Sequence, residues 1–292
     1  MALALIDIGG TSIKFGVWEN SKIIDQTAAA TPKTLNEFYE VLNQHVTTMK
    51  NNHHITGVGI SSPGSVDAPV GIIRGASAIP YIHNFEIVPE LEKRFGLKIG
   101  IENDANCAGL AEVAHGAASG VKDAVFLVIG SGIGGAVIIN GQVRHGAHLL
   151  GGEFGYMLHN EASTVSESAS PVYMAENYNR EESPAELKTG HDIFDAAANG
   201  EKTAQKYLDK LYYALAKTIF NLQYSIDPEC FVLGGGISNS PQLLPGVEKA
   251  LDGIMKQVEI AEVRPTIKIC EFRSTANLIG AAVNYFNNVK GN

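Results

Sequence analysis

The chain has 292 residues, of which 45% are hydrophobic and 18% charged, and its formal net charge is −9. These values predict a globular protein that is long enough to bury one large core or two modest ones. The acidic balance without a basic run argues against a nucleic-acid partner, and no apolar run is long enough for a transmembrane helix. Cys107, Cys230 and Cys270 lie in apolar surroundings, and no basic leader precedes the first strand. Together these features predict a cytoplasmic protein with reduced thiols and no membrane partner.

The first predicted element is an apolar strand over 3–8 that carries a carboxylate, Asp7. Gly9, Gly10 and Thr11 follow it, and the apolar and polar residues that come next alternate as in a second strand, which includes Lys14. A hairpin here differs from a Rossmann fingerprint or a P-loop, since both need a helix after their glycines. The N–H groups of such a tip can hold phosphates, and Asp7 can reach Mg²⁺ through water. The alternative is an ordinary tight hairpin whose glycines supply unusual backbone angles.

The same layout occurs a second time later in the chain. An apolar run over 124–129 meets a second glycine turn, a further apolar run over 136–139 follows, and Asn140-Gly141 predicts the next hairpin turn. The phosphate-type positions of this second turn are Gly130, Ser131, Gly132, Gly134 and Gly135. Two such hairpins suggest duplicated halves that face each other. The simplest use of that symmetry is to clamp the phosphate tail of a nucleotide between the two tips.

A third glycine cluster consists of Gly234, Gly235 and Gly236, directly after a strand-like run. A helix is predicted to begin at Pro241. Three adjacent glycines let a flat group such as an adenine ring approach the backbone closely. The alternative is a strand-to-helix loop that needs positive φ angles.

Strand and helix patterns alternate along the chain, which predicts an α/β fold. The predicted helices are 35–49, 105–118, 208–226 and 276–286, and the shorter predicted strands include 58–61 and 99–102. The least regular part is 159–189, which is polar and serine-rich in its first half.

Asn103 and Asp104 stand where a predicted strand passes into a helix, the position at which open α/β sheets gather their ligands. Asp104 can accept a proton from an attacking sugar hydroxyl, and Asn103 can hold a neighbouring hydroxyl. The alternative is that one of them only caps the helix. Glu153, in a loop between glycines, suits a pair of sugar hydroxyls, or else it is a solvated loop acid. The histidines show no metal-ligand spacing.

With these motifs in place, the chain resembles the ROK family of sugar kinases over essentially its whole length. The matching segments are Asp7 to Lys14, Glu102 to Cys107, Gly130 to Gly135, Gly151 to Gly155 and Gly234 to Gly236. The resemblance implies an α/β, actin-like ATPase (ribonuclease H-like) fold with two lobes and an interlobe cleft that closes over sugar and ATP. It implies an N-terminal lobe of 1–107 plus 277–292 and a C-terminal lobe of 108–276.

The resemblance also implies roles for individual residues. It makes Asp104 the catalytic base, and it assigns Gly64, Asn103, Asp104 and Glu153 to the sugar. ATP and Mg²⁺ are the implied cofactors, with the glycine motifs and Lys14 on the nucleotide. A small-molecule sugar is the expected partner, and a homodimer the expected assembly.

The chain departs from the family pattern in one respect. Tyr156 occupies the position of a family histidine, and no cysteine lies between Cys107 and Cys230. We therefore expect no zinc. Among ROK kinases the chain looks most like the β-glucoside kinases, which implies phosphorylation of a primary hydroxyl of a β-glucoside such as cellobiose. The alternatives are an N-acetylmannosamine kinase, a glucokinase or a fructokinase.

A weaker alternative of another class is a non-catalytic sugar sensor. ROK repressors carry a DNA-binding helix-turn-helix before the first glycine motif. With Asp7 so near the first residue, we expect no room for one.

Overall fold

The computed structural model describes residues 1–289, and the chain divides into two compact units. The first unit contains Met1–Ala114, His145–Leu150 and the described residues from Ser274 onward, and the second contains His115–Arg144 and Gly151–Arg273. The expected lobes are 1–107 plus 277–292 and 108–276. They place 108–114, 145–150 and 274–276 in the C-terminal lobe, whereas these residues belong to the first unit. The last three residues of the expected N-terminal lobe, 290–292, lie outside the described residues.

The secondary structure of residues 1–289 alternates between strands and helices. The strands are β1 (Ala2–Ile8), β2 (Ser12–Glu19), β3 (Lys22–Ala30), β4 (Ile55–Ser62), β5 (Ser65–Asp67), β6 (Ile72–Arg74), β7 (Ile99–Asn103), β8 (Ala124–Ile129), β9 (Ile133–Ile139), β10 (Gln142–Val143), β11 (Cys230–Gly234) and β12 (Ile267–Ile269). The α-helices are α1 (Leu35–Asn52), α2 (Ile87–Phe95), α3 (Asp104–His115), α4 (Val165–Ala169), α5 (Pro171–Glu182), α6 (Gly190–Ala198), α7 (Lys202–Ile226), α8 (Leu243–Gln257) and α9 (Ala276–Asn288). Short 3₁₀ helices lie at Pro80–Ile82, Phe154–Tyr156 and Gly236–Asn239.

Each unit is built on a five-stranded sheet with the same strand arrangement. The order is β3-β2-β1-β4-β7 in the first unit and β10-β9-β8-β11-β12 in the second. In both sheets the first three strands pair antiparallel and the remaining pairs are parallel. The α/β fold and the duplicated topology that the repeated glycine hairpins predict are therefore both present.

The central strand β1 is buried along its whole length, because helices cover both faces of the first sheet. Its even-numbered residues join a core with the apolar stripe of α1, formed by Phe38, Leu42, Val46 and Met49. Its odd-numbered residues point to the opposite face, where α9 packs on β1, β4 and β7. Asp7 is on this second face, at the end of the row that begins with Leu3.

Helix α9 lies unusually close to its sheet, because glycines line the contact. A Cβ atom on Gly59 of β4 would come within 2.6 Å of the Ala281 carbonyl oxygen, and one on Gly100 of β7 would come within 3.0 Å of the Tyr285 Cα. On the helix itself, a Cβ on Gly280 would overlap the carbonyl oxygen of Cys107 in α3. The close approach brings the start of α9 to the end of β1.

The second unit has its own core, in which the long helix α7 contributes residues along most of its length. The segment 159–189, which the sequence suggests is the least regular, contains the helices α4 and α5. Its polarity is misleading because serine and threonine residues serve as helix caps there: Thr164 forms a capping box with Glu167, and Ser170 caps α5. Val165, Ala169 and Met174 bury their side chains in the core.

The three cysteines, all within the described residues, form no disulfide bond. Across residues 1–289, the helices lack the combination of length and apolar character that a membrane crossing requires.

The packing of α9 gives a stability prediction. Gly280→Ala is expected to destabilise the protein by about 1–3 kcal/mol, since the added methyl group must displace the backbone of α3. Gly253→Ala is the matched control, because Gly253 is an exposed glycine within α8 whose Cβ would meet nothing within 4 Å. The control is expected to stabilise by about 0.5–1 kcal/mol through helix propensity. Urea unfolding followed by circular dichroism measures both, and a Gly280→Ala protein as stable as wild type would contradict the packing argument.

Candidate functional site

The β1–β2 hairpin ends in a braced glycine tip. The Gly9 N–H donates to the Ser12 carbonyl oxygen at 3.1 Å, which closes the turn. Thr31, just after β3, donates its hydroxyl to the Gly9 carbonyl oxygen at 2.6 Å, and its N–H to the Thr11 carbonyl oxygen at 3.0 Å. The tip is thus held by the neighbouring strand, while Gly10 and Thr11 remain exposed.

Asp7 is a buried carboxylate, 6% exposed, held by three other elements of the first unit. Its Oδ1 accepts the Ser61 hydroxyl of β4 and the Asn277 side-chain amide of α9, each at 3.0 Å. Lys14, opposite Asp7 in the β1–β2 register, places its Nζ 3.6 Å from Oδ2 and donates to the Ser274 carbonyl oxygen. These contacts fix the carboxylate at the base of the hairpin tip.

Asn103 and Asp104 connect β7 to α3, as the sequence predicts. Asn103 Oδ1 accepts the Asn106 N–H at 3.1 Å, so Asn103 performs the capping role that was the alternative reading of this pair. Its Nδ2 donates at 3.0 Å both to Asp104 Oδ1 and to the Gly64 carbonyl oxygen. Asp104 is the first helical residue and is partly exposed, and its Oδ1 also accepts the Ala105 N–H.

Gly64 follows β4 with a φ of +92°, an angle that favours glycine. A side chain there would also meet the ring of His83 at 2.8 Å. Because β1, β4 and β7 are parallel neighbours, their carboxyl ends bring Asp7, Gly64, Asn103 and Asp104 to one edge of the first sheet.

The pKa of the Cys107 thiol reflects the negative charge at this edge of the sheet. Burial raises its pKa well above the ordinary value, and the negative charges of Glu102, Asp7 and Asp104 raise it further. Three carboxylates therefore act on one buried atom, and the sequence motif predicts two of them, Asp7 and Asp104, as functional groups.

Glu102, the third carboxylate, is 2% exposed and fully hydrogen-bonded. Its Oε1 accepts the Asn103 N–H at 2.8 Å and the Asn106 Nδ2 at 2.9 Å. Its Oε2 lies 2.7 Å from Nε2 of His145, a partly exposed residue of the segment 145–150. The hydrogen bond to Glu102 and its negative charge raise the pKa of His145, against the lowering effect of burial.

The second unit carries a glycine tip that is braced in the same manner. The Gly130 N–H donates to the Gly132 carbonyl oxygen at 3.0 Å. The Ser170 hydroxyl contacts the carbonyl oxygens of Gly130 at 3.0 Å and Ser131 at 2.9 Å. Ser166 of α4 accepts the Ile133 N–H at 2.9 Å. The segment 159–189 therefore supports the second hairpin.

The loop after β11 runs beside this second tip. Strands β8 and β11 are parallel neighbours, and Gly235 has a φ of +93° and lies against the backbone of Ile129. Any other residue there would be strained and would overlap that backbone. By contrast, a Cβ on Gly130, Gly134 or Gly236 would meet nothing within 4 Å. Open space at these glycines fits a ligand that lies close to the backbone.

Glu153 stands on a loop that packs against the same hairpin. A Cβ on Gly152 would overlap the carbonyl oxygen of Gly135, and buried Phe154 also lies against Gly135. The Glu153 side chain is exposed, and Tyr156 is 77% exposed. The second unit thus brings Glu153, the Gly130–Gly135 turn and the Gly234–Gly236 loop into one neighbourhood.

A cavity of about 740 Å³ lies elsewhere in the second unit, between α5, α7 and the loop before α4. Tyr173, Tyr207 and Tyr213 are among its lining residues, and the predicted site residues are not. Within residues 1–289, no group of three or more His, Cys, Asp and Glu side chains is placed to hold a metal ion. Mg²⁺ needs no such cluster, because protein sites commonly bind it through one or two carboxylates, water and substrate phosphates. The single carboxylate of Asp7 is a donor of this kind.

The sequence predicts the motif residues and misses the residues that hold them. Thr31 and Ser170 brace the two tips, Asn277 reaches Asp7, and His145 reaches Glu102. All four come from distant parts of the chain, so local patterns carry no sign of them. One signal was available for Glu102, since a carboxylate within an apolar strand is costly to bury and needs a partner.

A model described as the ROK family matches residues 3–285. A β-glucoside kinase from Klebsiella pneumoniae is 32% identical over 254 residues, which cover 84% of each chain. The crystal structure of a ROK family protein from Streptococcus pneumoniae in complex with sucrose has a TM-score of 0.92 and 38% identity, with full coverage of both chains. A ROK family glucokinase from Streptomyces griseus, in complex with glucose and AMPPNP, has a TM-score of 0.76 and 25% identity, over 97% of this chain and 98% of that one.

The contact between His145 and Glu102 predicts a pH dependence. His145 is expected to titrate above its ordinary pKa of about 6.5, since the adjacent carboxylate favours the imidazolium. Because the folded-state pKa is the higher one, the pair stabilises the fold fully below pH ~6.5, and this contribution is lost as the pH rises through the folded pKa. NMR titration of the His145 ring measures the shift. Glu102→Gln is the control and should lower the value, whereas a wild-type pKa at or below ~6.5 would refute the interaction.

Proposed function

Because this chain belongs to the ROK family and is an ATP-dependent carbohydrate kinase, we propose that it phosphorylates a primary hydroxyl of a β-glucoside such as cellobiose, with Asp104 as the general base. The observation that carries the site assignment is the gathering of Asp7, Gly64, Asn103 and Asp104 at one edge of the first sheet. Asp104 is partly exposed, so a sugar hydroxyl can reach it, and the donors on its Oδ1 fix the orientation of the carboxylate that would act as the base.

The proposed chemistry is an in-line phosphoryl transfer. The sugar hydroxyl oxygen attacks the γ-phosphorus of ATP, the bond from that phosphorus to the β–γ bridging oxygen breaks, and ADP leaves. The hydroxyl proton passes to Asp104. Asn103 keeps Asp104 Oδ1 in place through its Nδ2, and we assign Asn103 and Gly64 to the sugar as well.

We assign residues to the nucleotide unit by unit. In the first unit these are Gly9, Gly10, Thr11 and Lys14, and Asp7 is assigned to Mg²⁺ through water. Mg²⁺, when bound, would neutralise charge on the phosphates. In the second unit they are Gly130, Ser131, Gly132, Gly134 and Gly135 for phosphate, and Gly234, Gly235 and Gly236 for the adenosine. The open space at Gly130, Gly134 and Gly236 supports this assignment.

The substrate assignment has separate support. A relative that covers most of the chain is named a β-glucoside kinase. A solved ROK structure is in complex with sucrose, a disaccharide whose glucose is α-linked, which supports an acceptor with a second sugar but does not bear on the β linkage. The exposed Tyr156, three residues from Glu153, offers an aromatic face for a sugar ring. We assign Glu153 to hydroxyls of the acceptor sugar. The homodimer stays a prediction.

The base assignment predicts the effect of Asp104→Asn. The substitution keeps the shape of the side chain and removes its proton affinity, so kcat is expected to fall about 10²- to 10⁴-fold. Coupled detection of ADP release under sugar and ATP saturation measures the change. Asp25→Asn is the control, because Asp25 is an exposed aspartate of the same unit, and it should keep wild-type turnover. Near wild-type kcat in Asp104→Asn, with chemistry limiting the rate, would remove Asp104 from the base role.

The substrate assignment predicts the order of kcat/KM among acceptors. The kcat/KM for cellobiose is expected to exceed the kcat/KM for glucose, fructose and N-acetylmannosamine. Comparing kcat/KM values measures discrimination in the transition state. A tenfold advantage for any of the three monosaccharides, equal to about 1.4 kcal/mol, would reject the β-glucoside and leave the kinase assignment intact.

One variant links this order to a residue. Tyr156→Ala should lower kcat/KM for cellobiose more than for glucose, since the second sugar would lose its aromatic contact. Leu158→Ala is the matched control, because Leu158 is equally exposed and lies two residues further along. Equal losses for both sugars in Tyr156→Ala would exclude the aromatic contact.

A further inference from the structure

His145 has no role in the motifs or in the assignments above, yet it contacts a buried carboxylate. Its Nε2 lies 2.7 Å from Glu102 Oε2, and Glu102 is 2% exposed. A buried carboxylate is costly unless a cation and hydrogen bonds compensate for its lost hydration. The Nε2 of His145 binds one oxygen of Glu102, and the raised pKa of His145 favours its charged form. The Asn103 N–H and the Asn106 amide bind the other oxygen.

The hydrogen bonds continue from Glu102 to the proposed base. Glu102 holds the backbone N–H of Asn103, and the Asn103 side chain donates to Asp104 Oδ1 at 3.0 Å. Glu102 also holds the side chain of Asn106, whose N–H in turn binds Asn103 Oδ1. Both ends of the Asn103 residue, its backbone and its side chain, are thus oriented by groups that Glu102 contacts. A shift of Glu102 displaces Asn103 and Asp104 together.

The position of His145 in the chain adds a second observation. The segment His145–Leu150 belongs to the first unit, although the residues on both sides of it, Arg144 and Gly151, belong to the second. The contact with Glu102 attaches this excursion of the chain to β7. Gly151, Gly152 and Glu153 follow directly, so the attached segment leads into the loop assigned to the sugar.

We propose that His145 is a positioning residue for the acceptor sugar: its Nε2 holds Glu102, and through Glu102 it holds the Asn103–Asp104 pair in the orientation that receives the sugar hydroxyl. This inference rests on the proposed function, in which Asn103 and Asp104 serve the sugar. ATP is assigned to other residues. Loss of His145 therefore affects the sugar and spares the nucleotide.

The test compares His145→Ala with His148→Ala. His148 lies in the same segment, is exposed, and has no assigned role, so its variant should stay within twofold of wild type. For His145→Ala, kcat/KM for the sugar is expected to fall at least tenfold, while KM for ATP changes less than twofold. If His145→Ala does not fold, His145→Gln retains a neutral donor and should show a smaller loss with the same selectivity. An unchanged kcat/KM for the sugar, or a twofold or larger rise in KM for ATP, would overturn the proposal.

A double variant separates positioning from general support of the fold. Glu102→Gln keeps an acceptor oxygen and removes the charge that needs His145. The double variant Glu102→Gln with His145→Ala should therefore lose no more sugar kcat/KM than the larger of the two single losses. Additive losses would contradict the proposed coupling.

The failure of the proposed function gives a different result from the failure of this inference. If the wild-type protein binds sugar without phosphorylating it, the proposed function is wrong. The role of His145 is then tested by calorimetric measurement of cellobiose binding. His145→Ala is expected to bind cellobiose at least tenfold more weakly than wild type, and equal affinities would overturn the inference. If the wild type neither binds nor phosphorylates a sugar, both are wrong.

Discussion

The first unit depends on two carboxylates that lie buried beneath its surface and receive hydrogen bonds from its other elements. Asp7 and Glu102 sit near the ends of β1 and β7, where the sheet edge is lined with polar groups but little water reaches the acids themselves. A buried carboxylate without partners would take up a proton or draw in solvent. Each acid instead receives several donors and one basic side chain, Lys14 for Asp7 and His145 for Glu102. These partners come from β2, β4, α3, α9 and the segment 145–150, so the two acids tie together most of the unit.

The two units brace their glycine hairpin tips in similar ways. Each has a β-hairpin whose glycine tip would be loose by itself, and in each a hydroxyl from outside the hairpin donates to the carbonyl oxygen of the first glycine. Thr31 does this in the first unit, from the end of the third strand of the sheet. Ser170 does it in the second, from the start of a helix. The same sheet order thus carries the same brace, supplied by different local structure, and both tips keep their N–H groups in a defined arrangement.

The sequence predicts the elements well wherever a single period governs a segment. Helix α1 and the glycine-ended strands β1 and β8 are found where the pattern predicts them, with bounds that agree within three residues. It predicts poorly where polarity has a local use, as in 159–189, because capping residues look the same as loop residues in a list of amino acids. The strand-to-helix position of Asn103 and Asp104 was also readable from the chain.

The partners of the site residues were not readable, and the reason is physical. A contact such as Asn277 with Asp7 joins residues 270 positions apart. Nothing in the local sequence distinguishes that asparagine from one that faces water. The excursion at 145–150 is likewise defined by a tertiary contact, so a division of the chain into two lobes by motif order alone passes over it.

The placement of α9 has a consequence for how the protein is made. The first unit begins at residue 1, yet the helix that covers one face of its sheet comes from the other end of the chain. On the ribosome, α9 emerges long after β1, β4 and β7. The face of the sheet that α9 packs on, with its glycines and Asp7, therefore remains exposed while the second unit is synthesised. Domains generally fold as units during synthesis. We therefore expect the second unit to complete its fold first, and the N-terminal sheet to close only after α9 has been synthesised.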